Sequence, residues 1–124
     1  MSLELSGIDH VSLPVDDLER STAFYRNVLG LREDVREEGF ALFRCGTDLL
    51  ALMERHPGGP QAVHLHFGFR VDSPREVDRW AERLLDHGVH ITQGPEDRDD
   101  GRAVYFLDPD GFELEIFYEV TSAG

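Results

Sequence analysis

Residues 105–118 read YFLDPDGFELEIFY, two apolar runs on either side of Asp108-Pro109-Asp110-Gly111. That four-residue composition is a tight turn, so the segment reads as a hairpin. A three-residue loop, a type I turn with Gly111 in the left-handed conformation, makes Asp108 the partner of Phe112. Counting outward then sets Leu107 opposite Glu113 and Tyr105 opposite Glu115. Leu114, Ile116 and Tyr118 point to the other, helix-covered face. A four-residue loop would shift the pairing and separate Tyr105 from Glu115. Taken alone, Glu113 and Glu115 are the wet face of an edge strand; beside the right partners they are something else.

Outward from this hairpin, the chain repeats one pattern twice. GIDHVSLPV (7–15) alternates as a strand, with Val11, Leu13 and Val15 on one face and Ile8, His10 and Ser12 on the other. DDLERSTAFYRNVLG then turns helical: Asp16 with Glu19 predicts a capping box, Leu18, Phe24, Tyr25, Val28 and Leu29 form an apolar stripe, and Gly30 supplies the stop. Short strands follow near Gly39–Arg44 and Leu49–Met53, and RHPGGPQ (55–61) reads as a linker. The second half runs in the same order. VHLHFGFRV is a strand, and DSPREVDRWAERLLDHG a helix capped by Ser73, with Pro74 first and Glu76 as the capping partner. Its predicted buried stripe is Val77, Trp80, Ala81, Leu84 and Leu85, and Gly88 ends it. A strand near Val89–Thr92 and the hairpin 102–120 complete the half. His10 precedes Asp16 by six residues and His66 precedes Asp72 by six. The expectation is an α+β fold of two βαβββ modules, 1–57 and 58–124, together forming a curved, mainly antiparallel sheet around a cleft.

Composition excludes several classes. The 124-residue chain carries a formal net charge of −13, which disfavours nucleic acid and an anionic membrane surface as partners. No apolar run approaches the roughly 20 residues of a membrane span, and no signal peptide is evident. The single cysteine, Cys45, excludes an intramolecular disulfide and fits a reducing cytoplasm.

The repeat gives the histidines their interest. A lone strand histidine is more often structural than a ligand, but His10 and His66 hold matching places on matching strands. Both look away from the face that packs on the helix, as do Glu115 and Tyr105. Two imidazoles and one carboxylate make a facial triad with open positions, which suits Fe2+ and Mn2+, with Zn2+ and Ni2+ also open. An acid inside a sheet is then tolerated because a metal offsets its desolvation.

These residues resemble a known family. The stretches IDHVSLPVDDLERSTAFYRNVLGL, HLHFGFRV and VYFLDPDGFELEIF are similar to the vicinal oxygen chelate superfamily, which includes glyoxalase I, extradiol dioxygenases, fosfomycin-resistance enzymes and bleomycin-binding proteins. The resemblance implies metal ligands at His10, His66 and Glu115; His66 is preferred over His64 because the family's histidine is followed by two residues and a phenylalanine, as in His66-Phe67-Gly68-Phe69. It implies a role at the substrate oxygens for Tyr105, ten residues ahead of Glu115, and a substrate contact for Ser12. The histidines that dioxygenases carry elsewhere are missing, since 97–100 read DRDD and Ala51 stands near the other place, with His56 the nearest substitute. The segment QGPEDRDD (93–100) is acidic apart from Arg98, a poor setting for a phosphonate. The position matching Glu115 in the first half falls near Leu50–Ala51, which leaves a glyoxalase-type fourth ligand without a donor.

Three classes follow from the resemblance. The first is a metal-dependent enzyme acting on a small substrate with adjacent oxygens, extradiol dioxygenase foremost, with Tyr105 and Glu115 as catalytic residues. The second is a glyoxalase-type lyase or fosfomycin-type thiol transferase on the same site. The third is an antibiotic-binding protein without turnover, which the presence of all three ligands disfavours. A homodimer is expected, since a short chain has little structure to cover both sheet edges.

Overall fold

The computed structural model describes residues 3–5, 8–55 and 66–120. The chain forms two compact units, Met1–Gln61 and Ala62–Gly124. The first holds β1 (His10–Val15), α1 (Leu18–Ala23) continued by a π-helical turn (Phe24–Val28), β2 (Arg32–Glu37), β3 (Phe40–Cys45) and β4 (Asp48–Glu54). The second holds β5 (His66–Arg70), α2 (Pro74–Asp86), β6 (Ile91–Arg98), β7 (Gly101–Leu107) and β8 (Glu113–Glu119). Each is βαβββ, as the repeat predicts. The sheet orders are β1-β4-β3-β2 and β5-β8-β7-β6. In each sheet the first and last strands run parallel and the other pairs antiparallel. His56, His64 and most of the RHPGGPQ linker lie outside the described residues.

Both units build their cores from the alternation that the sequence shows. In the first, Leu13 and Val15 of β1, Tyr25, Phe43 of β3 and Leu52 of β4 are fully buried. Tyr25 meets Phe43 at 6.2 Å between ring centroids. The π-helical turn widens the helix end, with Leu29 N–H donating to Phe24 O, and Phe24, Tyr25, Val28 and Leu29 are all buried there. In the second unit, Val77, Ala81 and Leu84 of α2 cover Val104, Phe106, Leu114 and Ile116.

Two local expectations change, and one strand appears that no pattern announced. The first helix is capped by Asp17, not Asp16: Asp17 holds an extended backbone and its carboxylate accepts from Arg20 N at 3.1 Å. Asp16 pairs instead with Arg55 at 2.6 Å. Leu85 is 62% exposed, because one residue beyond Leu84 turns it about 100° off the narrow 77–81–84 stripe. The strand β2, REDVRE, has too many charges to show an apolar period. Its arginines and acids pair instead, Asp34 accepting from Arg32 at 2.9 Å and from Arg44 at 2.5 Å. The bond from Arg32 above all holds the Asp34 carboxyl below its ordinary range, with desolvation opposing and Arg44 assisting.

The hairpin that decides the register forms as read. Asp108 N donates to Phe112 O at 2.9 Å, Gly111 N closes the turn on Asp108 O at 3.0 Å, and Gly111 has φ +85. The buried Asp108 carboxylate also accepts from Asp110 N and Phe112 N, each at 2.9 Å. Tyr105 pairs with Glu115 and Leu107 with Glu113.

Candidate metal centre

On the parallel side of β8, His66 pairs with Glu113 and Gly68 with Glu115. Alternation therefore sets His66, Gly68, Glu113, Glu115 and Tyr105 on the sheet face opposite α2. Glu115 is diagonal to His66, and its side chain leans across Gly68. A Cβ on Gly68 would come within 2.6 Å of Glu115 Cγ and 3.2 Å of the Phe117 ring, so the absence of a side chain is what admits the carboxylate. Glu115 Oε1 then lies 3.2 Å from His66 Nε2.

The tautomer of His66 is set from behind. Its Nδ1 lies 3.2 Å from the Glu113 carbonyl oxygen, which can only accept, so Nδ1 carries the proton. A neutral imidazole in this setting turns the lone pair of Nε2 toward Glu115 Oε1. Two lone pairs that close require a proton or a cation between them. Ligands about 2.1 Å from one ion and at right angles stand about 3 Å apart, so the spacing fits a shared divalent metal. A histidine whose second nitrogen is held by a carbonyl is also the usual arrangement of a metal ligand. Among the described residues no cluster of three or more His, Cys, Asp or Glu side chains forms, and His66 and Glu115 are the two donors that this unit brings together.

Around the pair stand three further groups. Arg98 Nη1 donates to the Tyr105 hydroxyl and lies 3.7 Å from Glu115 Oε2. The Tyr105 ring is 6.3 Å from the His66 ring and inclined to it by 25°. Glu113 is taken by Thr92, whose hydroxyl donates to its Oε2 at 3.0 Å. A cleft of about 150 Å³ opens beside Glu115, lined by Arg98, Asp100, Arg102, Phe117 and Glu119 among others. A wider depression of about 560 Å³ lies on the outer surface of α2 near Trp80 and Arg83, away from these donors.

In the first unit, His10 and Ser12 sit on the exposed face of β1. His10 Nδ1 is 3.0 Å from Asp9 Oδ2, which again leaves Nε2 as the lone-pair nitrogen. The registers fix the repeat equivalences. His10 pairs with Leu49 as His66 pairs with Glu113, and Ser12 with Ala51 as Gly68 with Glu115. Ala51 in turn pairs with Leu42 as Glu115 pairs with Tyr105. The two units thus share a fold but not a chemistry: Ala51 and Leu42 stand where the second unit has its acid and its tyrosine.

The structure brings His66, Glu115 and Tyr105 of the expected residues onto one face of one unit, and holds His10 and Ser12 on the matching strand of the other. Sequence reasoning left out Arg98 and Gly68 as site residues. Gly68 carried a signal, a glycine two residues from a histidine inside a strand. Arg98 carried none, because the register of β6 shifts twice, between Ile91 and Gln93 and between Gln93 and Glu96.

Known proteins share this architecture. The chain is 30% identical over 127 residues to the manganese-dependent 2,3-dihydroxybiphenyl 1,2-dioxygenase of Geobacillus genomosp. 3, a match covering 97% of this chain and 39% of that protein. The chain therefore spans about two fifths of that relative. It is 32% identical over 117 residues to the metallothiol transferase FosB of Staphylococcus haemolyticus, covering 90% of this chain and 83% of the other. The crystal structure of lactoylglutathione lyase from Agrobacterium tumefaciens superposes with a TM-score of 0.83 at 26% identity, covering 97% of this chain and 98% of that one. With residues 7–116 matched by the family's sequence profile, the chain is a member of the Glyoxalase/Bleomycin resistance protein/Dioxygenase superfamily.

Proposed function

We propose that the protein is a metal-dependent enzyme acting on a small substrate with two adjacent oxygens, with extradiol ring cleavage as its leading reaction. The observation that carries this reading is the His66 Nε2–Glu115 Oε1 pair, with Tyr105 on the same face. His66 and Glu115 hold a divalent ion, Fe2+ or Mn2+ by the character of the donors, and His10 is the third ligand. When bound, the ion supplies a Lewis acid that offsets the charge of two neighbouring substrate oxygens. Tyr105 accepts from Arg98, so its own proton is left to donate to a substrate oxygen. Ser12, two residues from His10 on the same face of β1, is the substrate contact from the first unit. The similarity to a manganese-dependent dioxygenase supports this reaction class.

The test has two steps. Metal analysis of protein prepared without added metal comes first, followed by oxygen uptake with catechol and 2,3-dihydroxybiphenyl. Protein that binds no divalent ion sinks the reading; metal-loaded protein that consumes no oxygen sinks the dioxygenase form of it.

A second reading is a thiol transferase, favoured by the match to FosB over most of that protein's length. Loss of free thiol in the presence of fosfomycin, without oxygen uptake, would establish it. We further propose a cytoplasmic homodimer in which His10 of one copy joins His66 and Glu115 of the other. Among the described residues no helix is long and apolar enough to cross a membrane. Mixing His10→Ala and Glu115→Ala variants should restore one intact site in each heterodimer, and no recovered metal binding after subunit exchange rejects the sharing.

A further inference from the structure

Arg98 stands at the site for no reason that the core or the turns supply. Its guanidinium lies with its carbon 5.9 Å from the centroid of the Tyr105 ring and donates to that residue's hydroxyl. The 3.7 Å from Nη1 to Glu115 Oε2 is too long for a hydrogen bond, so the attraction there is coulombic. The other arginine of the cleft, Arg102, is occupied by Asp78 and Asp97, each at 2.8 Å. Glu115 has only 18% of its side chain exposed, and Arg98 47%. A positive charge this close to a part-covered carboxylate attracts it more than it would in open water.

We infer that Arg98 is an internal counter-ion of Glu115 with which a divalent metal must compete. It attends Oε2, leaves Oε1 toward His66, and by its charge lowers the affinity of the donor pair for a second cation. The inference rests on the metal reading above. The two roles a neighbouring arginine can play have opposite signs. A partner that mainly orients a ligand strengthens metal binding, and its removal weakens it about 10- to 100-fold. A fixed cation beside the site repels the incoming ion, and its removal tightens binding. Here the contact with the carboxylate is beyond hydrogen-bond range while the charge is close, so repulsion dominates. Half exposure screens it to a modest size.

Mn2+ is titrated into metal-free wild type, Arg98→Lys and Arg98→Met, following the free-ion paramagnetic resonance signal, with circular dichroism to confirm the fold. Arg98→Met should bind Mn2+ about five- to tenfold more tightly than wild type, and Arg98→Lys within about twofold of it, with the gap narrowing as salt is added. A merely structural role would weaken both variants. Equal or weaker binding by Arg98→Met, or identical behaviour of the Lys and Met variants, overturns the inference while leaving the metal site standing. Wild type that binds no Mn2+ overturns the metal reading and this inference with it.

Discussion

Replacing Asp108 with alanine tests the turn on which the register of the site depends. Asp108 is 5% exposed, and its carboxylate accepts two backbone hydrogen bonds at 2.9 Å, from Asp110 and from Phe112. A hydrogen bond to a charged acceptor contributes about 1.5–3 kcal/mol when its loss leaves the donor unmet. Asp110 and Phe112 are half-buried, so water recovers part of that. The expected destabilisation is therefore about 2–3 kcal/mol, below the simple sum. For a chain of this size it corresponds to a fall in Tm of roughly 8–12 °C. Asp108→Asn retains an acceptor without the charge and should lose only about 1 kcal/mol. Urea unfolding followed by far-ultraviolet circular dichroism measures both. An alanine variant within about 0.5 kcal/mol of wild type, the range of an ordinary surface change, would show that Gly111 and the backbone alone hold the turn.

Other expectations follow from single contacts. Gly68→Val should reduce Mn2+ binding at least about tenfold with secondary structure retained, because its side chain occupies the path of Glu115 Cγ; unchanged affinity would mean Glu115 reaches His66 by another rotamer. Ser73→Ala removes the acceptor for Glu76 N and should lower stability by about 1 kcal/mol in thermal unfolding, and no change would deny the cap its role. Burial first, then the Asp48 carboxylate, push the Cys45 thiol up, so its thiolate forms only well above neutral pH. Iodoacetamide at neutral pH should accordingly label the native protein far more slowly than the urea-unfolded chain, and equal rates would contradict this.

Much of the fold was legible because its signals are local. The α2 cap at Ser73 needed only Ser-Pro at the start and glutamate three residues on, and the alternation of β1 and β8 gave their buried faces directly. The turn at 108–111 gave the pairing of Tyr105 with Glu115, from which two site residues followed. What escaped depends on contacts remote in sequence. The strand β2 is defined by its neighbour β3 and by ion pairs rather than by any apolar period. Arg98 reaches Tyr105 only through a strand whose register shifts twice, and no spacing rule anticipates that. The cap at Asp17 was missed by one residue because Asp16 is an equally good capping type, and only the backbone angles and the Arg55 partner separate them.

The parallel pairing of β5 with β8 joins the first strand of the second unit to its last, and so draws together two side chains 49 residues apart. Local collapse cannot assemble such a pair; it exists only once the unit has closed. An ion captured there would bind the closed unit and not the open chain, and at a hundredfold excess over its dissociation constant would add about 2.7 kcal/mol to closure. Any such stabilisation would come late: until β8 has emerged and docked, the nascent chain has neither the Glu115 carboxylate nor the Glu113 carbonyl that aims His66.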